Sequence, residues 1–257
     1  MSVDIDVRER IARITLNRPD AGNALDLESA TALCGAAEGL RGSDVGAVIL
    51  TGAGRAFCVG GDLDFMREAA NVGDAVLRLA TQFHGALEAL AALDAPVISA
   101  VRGAAAGGGM SLAIAADIVL AAESARFTMA YTAIGFSPDG GSSWTLPRLV
   151  GPRRGAELML LNERLDAVAA RELGLVTRVV PDDALDAEAA ALARRLADGP
   201  TRAHGAVKRL LRQSATHGFA EQMAEEARTI AALADGPDGR EGVAAFLEKR
   251  SPRFRAG

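Results

Sequence analysis

Cysteine, histidine and aromatic residues are scarce in this chain: two Cys, three His, one Trp, one Tyr and eight Phe among 257 residues. Two cysteines cannot build a disulfide-stapled scaffold, and Cys34 and Cys58 have no metal-ligand spacing, so they are expected as small buried hydrophobes in a reducing compartment. So few aromatics leave an aliphatic core. There is no Lys/Arg run, and 28 basic against 33 acidic residues give a net charge of -5, which argues against a nucleic-acid backbone as partner. The longest uncharged apolar stretch, 103–116, is glycine-rich and too short to cross a bilayer. Met1 to Ile11 alternates in charge without an apolar centre, unlike a secretory signal, so a cytoplasmic location and no membrane partner are expected. Neither the Lys-Ser/Thr of a phosphate loop nor the third glycine of a dinucleotide fingerprint is present.

What remains is ordinary globular composition, 49% hydrophobic and 24% charged, and a repeated strand-helix pattern. Residues 11–16 alternate with period two, 25–40 have helical apolar spacing, and 47–51 form a continuous apolar run ended by glycine, as in a strand covered on both faces. Helical spacing returns over 75–93, followed by a strand at 96–101 and a short helix over 111–116. Beyond Pro181 four helices are expected, over 184–196, 203–213, 220–233 and 242–249. This predicts an α/β core over residues 1–197 and a helical C-terminal region over 198–257.

Two turns stand out. Gly60-Gly61-Asp62 follows Arg55-Ala56-Phe57-Cys58-Val59, and Gly107-Gly108-Gly109 lies between a strand and a helical run. Glycine lets a ligand reach the main chain, and the first turn of a helix carries unpaired N–H donors. Two such turns converging on one oxygen would form an oxyanion hole; by themselves, the same glycines are equally consistent with tight turns and close packing.

Taken with Asn17-Arg18-Pro19, Asn23-Ala24-Leu25, Ala116-Asp117-Ile118 and a tail reading Phe246-Leu247-Glu248-Lys249-Arg250-Ser251-Pro252, these turns resemble the crotonase (enoyl-CoA hydratase/isomerase) superfamily from about Ile5 to Phe254. The resemblance implies a spiral of ββα units with a helical C-terminal region that packs trimers or hexamers. It implies an acyl-CoA thioester as substrate, with coenzyme A part of that substrate and no metal or separate cofactor. It also assigns the Gly61 and Gly108 amides to the thioester oxygen. Ala24, Gly60, Gly61, Asp62, Leu63 and Gly108 would lie along the acyl-CoA, and Lys249 would approach a CoA phosphate of a neighbouring subunit.

The acid/base groups narrow the reaction. Hydratases of the superfamily carry one glutamate two places after the triple glycine and another ahead of an Ile/Leu-Gly step; here those places hold Ser111 and Tyr131. Asp139, in Ser137-Pro138-Asp139-Gly140, falls where single-acid acyl-CoA isomerases, including the ring-epoxide phenylacetyl-CoA type, carry their acid. The same four residues also make ordinary turn chemistry. The preferred expectation is double-bond or ring isomerisation through a thioester enolate, with Asp139 as acid and base. Hydration comes second, with Ser111 or Tyr131 in support. A third reading is hydrolytic dehalogenation, in which Asp139 is a nucleophile and His84 assists, and a fourth is a non-catalytic acyl-CoA binder. Trp144, Leu146, Pro147 and Leu149 are expected mainly in core packing.

Overall fold

Apolar residues that alternate between two separate cores set the main sheet in place. The computed structural model describes residues 1–254, so 255–257 of the expected C-terminal region lie outside the described residues. The chain runs β1 (Val3–Arg8), β2 (Ile11–Leu16), α1 (Leu27–Glu38), β3 (Ala47–Gly52), α2 (Leu63–Glu68), α3 (Val72–Ala92), β4 (Val97–Val101), β5 (Ala104–Ala106) and α4 (Gly108–Ile114). It continues with β6 (Ile118–Ala122), β7 (Arg126–Thr128), α5 (Ser142–Val150), α6 (Pro152–Leu161), β8 (Leu165–Asp166), α7 (Ala167–Glu172) and β9 (Arg178–Val180). Four helices close it: α8 (Leu185–Ala197), α9 (Thr201–Gln213), α10 (Phe219–Asp235) and α11 (Pro237–Leu247).

Six strands in the order β1-β2-β3-β4-β6-β9 make one sheet, and β5-β7-β8 make a smaller one. β1 and β2 pair antiparallel, whereas the rest of the large sheet is parallel. Val48 and Leu50 of β3 join the main core with Leu33 of α1 and Phe83 of α3, while their neighbours Ala47 and Ile49 pack with Leu185, Ala189 and Ala193 of α8. β4 and β6 divide their residues in the same way. Covering on both faces explains why these strands read as unbroken apolar runs. The repeating unit is a strand of the large sheet, a short segment of a second layer, then a helix: β4-β5-α4 and β6-β7-α5. In the unit after β3 the second segment shrinks to Cys58, which bridges Ala105 in parallel before α2 and α3.

Several elements differ from the sequence expectation. β1 was hidden because its outer residues are exposed and because its hairpin turns on Glu9 and Arg10, at φ 48° and 64°, rather than on the Asn-Gly type usual for such a turn. α11 starts at Pro237, five residues before the expected 242, because Gly236-Pro237 supplies a helix start, and it ends at Leu247. Leu146 is core, as expected, but Trp144 is half-exposed with the Arg148 guanidinium 4.0 Å from its ring centroid. Among the described residues no helix is long and apolar enough to cross a membrane.

The C-terminal helices attach unequally. α9 is held by Lys208, which is buried and donates from Nζ to the Ala95 carbonyl at 2.9 Å while pairing with Asp117 Oδ2 at 2.9 Å. The same Asp117 oxygen accepts the Val97 N–H at 2.8 Å, so one ammonium ties α9 to the start of β4 and the approach to β6. α10 has no buried residue, and Phe219, Ile230 and Phe246 stand exposed. Lys208→Ala should destabilise the fold by about 2–3 kcal/mol, below the ~3–5 kcal/mol of a fully buried pair because Asp117 keeps partial solvent access. A urea midpoint unchanged from wild type would remove this role.

Candidate active site

The two glycine turns meet through backbone hydrogen bonds of the second layer. Cys58 N–H donates to the Ala104 carbonyl at 3.0 Å, and Ala106 N–H donates to the Cys58 carbonyl at 2.9 Å. Gly107 N–H then donates to Thr128 O at 3.0 Å, which anchors the second turn to β7. Contact is so close that a Cβ on Gly109 would lie 2.0 Å from the Cys58 oxygen. A Cβ on Gly60, which sits at φ +99°, would fall 2.9 Å from Ala106 O and 3.4 Å from the Gly108 nitrogen. Glycine is required at both places, by space at the first and also by backbone conformation at the second.

Gly61 and Gly108 both line a cavity of about 680 Å³. Their neighbours are engaged, since Gly60 O accepts from Leu25 N–H at 2.7 Å and Asp62 N–H donates to Leu25 O at 2.9 Å. The Gly61 and Gly108 amides themselves have no acceptor among the described residues, the latter because it opens α4, where i−4 partners do not exist. Two free donors on abutting turns beside a cavity can stabilise an oxyanion, and each such donor is worth roughly 2.7–4 kcal/mol when aligned. The rest of the wall is largely apolar, with Met66, Leu79, Phe83, Ile134 and Phe136 among the lining residues.

Asp139 supplies the acidic group of that lining. Its Oδ1 accepts the Gly140 N–H at 2.6 Å and is in hydrogen-bond contact with His84 Nε2. A carboxylate only accepts, so the ring hydrogen in that contact belongs on Nε2. His84 comes from α3 and is more exposed than Asp139, 46% against 32% by side chain. The main-chain carbonyl of Asp139 accepts from Ser111 Oγ at 2.9 Å, Ser142 Oγ at 2.8 Å and Tyr131 Oη at 3.3 Å, and the Ser111 and Tyr131 hydroxyls lie 3.1 Å apart. The structure thus brings together Gly61, Gly108, Asp139, His84, Tyr131 and Ser111.

The expected CoA-side residues divide. Gly60 and Leu63 line the cavity with Gly61, whereas Ala24 and Asp62 do not. Asp62 caps α2, accepting from Asp64 N–H at 3.0 Å and Phe65 N–H at 3.2 Å, a role worth about 1 kcal/mol. Burial raises the Asp62 carboxyl pKa, but the Phe65 amide, Arg18 and the Asp64 amide outweigh it and hold the group below its ordinary value. Arg18 was given no role by its motif. It donates to the Ala24 carbonyl at 2.6 Å and pairs with Asp26 at 3.1 Å and Asp62 at 2.9 Å, so it ties the 24–26 segment to the end of the first glycine turn. Ser142 and Phe83 were also missed, because neither stands within a motif. Lys249 is exposed after α11 and does not line the cavity.

Burial pushes the Tyr131 phenol above its ordinary value of 10.0; the Ser111 hydrogen bond opposes this and the Asp139 charge adds to it. The folded value therefore exceeds the unfolded one, so the stability contributed is complete below the ordinary value and is lost as pH rises through the folded value. Because this is the sole tyrosine, an ultraviolet phenolate titration reports it alone. The expected result is no ionisation near the ordinary value while the far-ultraviolet circular dichroism stays native. A phenolate appearing there in the folded protein would contradict the burial of Tyr131.

Comparison with known proteins bears on the family and the fold. The family model described as enoyl-CoA hydratase/isomerase matches residues 6–257. A Rhodobacter capsulatus protein named "Probable enoyl-CoA hydratase" is 42% identical over 254 residues, 98% of this chain and 97% of that one. The 1,2-epoxyphenylacetyl-CoA isomerase of Escherichia coli is 39% identical over 254 residues, 96% of each. The crystal structure of an enoyl-CoA hydratase from Bacillus anthracis superposes with a TM-score of 0.94 at 30% identity, covering 100% of both chains. With the layered strand-strand-helix units and the paired glycine turns already in view, the chain has the crotonase fold and belongs to the enoyl-CoA hydratase/isomerase family of enzymes.

Proposed function

We propose that this protein is an acyl-CoA isomerase that moves a double bond, or rearranges a ring, through a thioester enolate. The observation that carries the reading is a single carboxylate, Asp139, in a cavity edged by two unpaired main-chain amides. The thioester oxygen accepts from Gly61 and Gly108 N–H, which acidifies the α-carbon. Asp139 takes the α-proton, the C–H electron pair enters the dienolate, and the same carboxyl returns the proton to the γ-carbon. The base is regenerated without a second acid. Oδ1 already accepts Gly140 and His84, which leaves Oδ2 as the oxygen for this exchange.

Hydration is less well supported, because it needs a second polar group to deliver water to the β-carbon. The residues in the two hydratase carboxylate places, Ser111 and Tyr131, lie 3.1 Å apart by their hydroxyls and both donate to the Asp139 carbonyl. The E. coli relative's name, 1,2-epoxyphenylacetyl-CoA isomerase, supports isomerisation, and the hydratase names keep hydration as the comparison. The His84–Asp139 contact favours one further reading, hydrolytic dehalogenation, in which Asp139 attacks the halogen-bearing ring carbon of an aryl-CoA, the carbon–halogen bond breaks with loss of halide, and His84 helps water hydrolyse the resulting ester. The proposed substrate is an acyl-CoA thioester, with coenzyme A as part of it and no separate cofactor, in a cytoplasmic setting. The bare apolar faces of α10 and α11 support self-association as a trimer or hexamer, with Lys249 near a neighbour's CoA phosphate.

Asp139→Asn should lower α-proton exchange of a 3-enoyl-CoA in D₂O by about 10²–10⁴-fold with little change in KM; undiminished exchange refutes Asp139 as the base. Binding of the thioester without exchange by the wild type would instead indicate a non-catalytic binder, and an ester adduct by mass spectrometry on a halobenzoyl-CoA would favour hydrolysis. Sedimentation equilibrium should give a mass three or six times that of the chain. A monomer at micromolar concentration would remove the self-association.

A further inference from the structure

Four donors converge on one oxygen beside the cavity. The Asp139 carbonyl accepts from Ser111 Oγ at 2.9 Å, Tyr131 Oη at 3.3 Å, Ser142 Oγ at 2.8 Å and Ser142 N–H at 3.3 Å. A carbonyl oxygen has two lone pairs, and the local Ser142 turn alone would satisfy it. Nor does Ser111 require this acceptor, because its hydroxyl also reaches the Gly107 carbonyl of its own helix at 3.3 Å. Ser111 and Ser142 are fully buried and lie on α4 and α5, while Tyr131 comes from the segment after β7. The donors therefore approach from three separate parts of the chain.

The carbonyl they hold is one edge of the peptide plane joining Asp139 to Gly140. The opposite edge of that plane is the Gly140 N–H, which donates to Asp139 Oδ1 at 2.6 Å. Because the peptide group is planar and stiff, fixing its oxygen fixes the direction of its N–H. Grip on the carbonyl is thus transmitted to the carboxylate, and through Oδ1 to the contact with His84.

We infer that Ser111 and Tyr131 are positioning residues: the two hydroxyls lock the 139–140 peptide plane, and the plane holds the Asp139 carboxylate at a set angle in the cavity. This deepens the isomerase reading and rests on it for the catalytic consequence. It gives the hydroxyls that stand in the hydratase carboxylate places a function directed at the acid rather than at the substrate. A misplacement of about 1 Å can cost on the order of 10²-fold in rate, so small rotations of this plane would register in turnover.

The test uses Tyr131→Phe and Ser111→Ala, each of which deletes one hydroxyl, and Ser142→Ala as a local control that leaves both in place. In ligand-free protein, the Gly140 amide and His84 ring signals in NMR report the carboxylate; Ser111 packs beside Gly140 and both hydroxyls bond its peptide group, so the His84 ring, to which neither hydroxyl is hydrogen-bonded, is the remote reporter. The expected result is that both signals shift in Tyr131→Phe and in Ser111→Ala, more than in Ser142→Ala, with the remaining amide spectrum native. In 3-enoyl-CoA isomerisation, kcat should fall about 10- to 100-fold with KM within about twofold. In an Asp139→Asn background the same hydroxyl deletions should cost nothing further, because there is no longer a base to aim. Signals that stay in place in both variants overturn the inference whatever the activity. Shifted signals with unchanged kcat overturn it too, by reducing the cluster to packing. Shifted signals in a protein whose wild type exchanges no α-proton would bring down the isomerase reading while the hold on the carboxylate stands.

Discussion

The hydrogen bonds between Cys58 and the Ala104–Ala106 strand carry the rest of the site, because they set how near the two glycine turns stand. Cys58 N–H and its carbonyl both pair with this strand, and the carbonyl presses on Gly109, where no side chain would fit. An oxyanion hole made of main-chain amides costs no reorganisation when charge develops, provided that the backbone is already held from behind. In this chain both turns are held from behind: Gly60 by Leu25, Gly107 by Thr128, and the flank of the first turn by Arg18 through Asp62. The Cys58 thiol sits in the same seam, and burial pushes it up to about 12, so it contributes packing rather than nucleophilic chemistry.

The backbone donors and the acid come from different layers of design. The donors belong to a frame of strands covered on both faces, in which apolar residues alternate between a core under α1 and α3 and a core under α8. The acid sits on a loop, between the 3₁₀ turn 132–134 and α5, where side chains can change without disturbing the sheet. A carbonyl gripped by hydroxyls from elsewhere in the chain gives that loop the rigidity it lacks in regular structure. Under the proposed function, this division would let one fold keep its oxyanion donors while the proton-handling groups vary.

Much of the frame was readable in advance. Buried strands such as 47–51 and 96–101 announce themselves by continuous apolar residues, and α3 and α8 by helical spacing; the structure moves their ends by only a few residues. The second layer was not readable. β5, β7 and β8 are two or three residues long, as is β9 at the edge of the large sheet, too short for periodicity to emerge, and Cys58 takes part through a single bridge. In the site, the glycines and Asp139 were visible because their residue types are restricted by chemistry. Ser142, Phe83 and Arg18 were not, since a serine, a phenylalanine and an arginine are compatible with many surroundings.

Local sequence alone therefore marked the long buried strands, the longer helices and the turns that could expose their amides, while the missing hydratase pair of carboxylates came from the family resemblance. Residue types and short-range spacing carry that information directly. Only the tertiary structure decided that His84, 55 positions from Asp139, meets its carboxylate, and that Ser111 and Tyr131 face its carbonyl. Such contacts depend on how three layers stack, and the stacking is settled by packing of the whole core, which no local window of sequence contains.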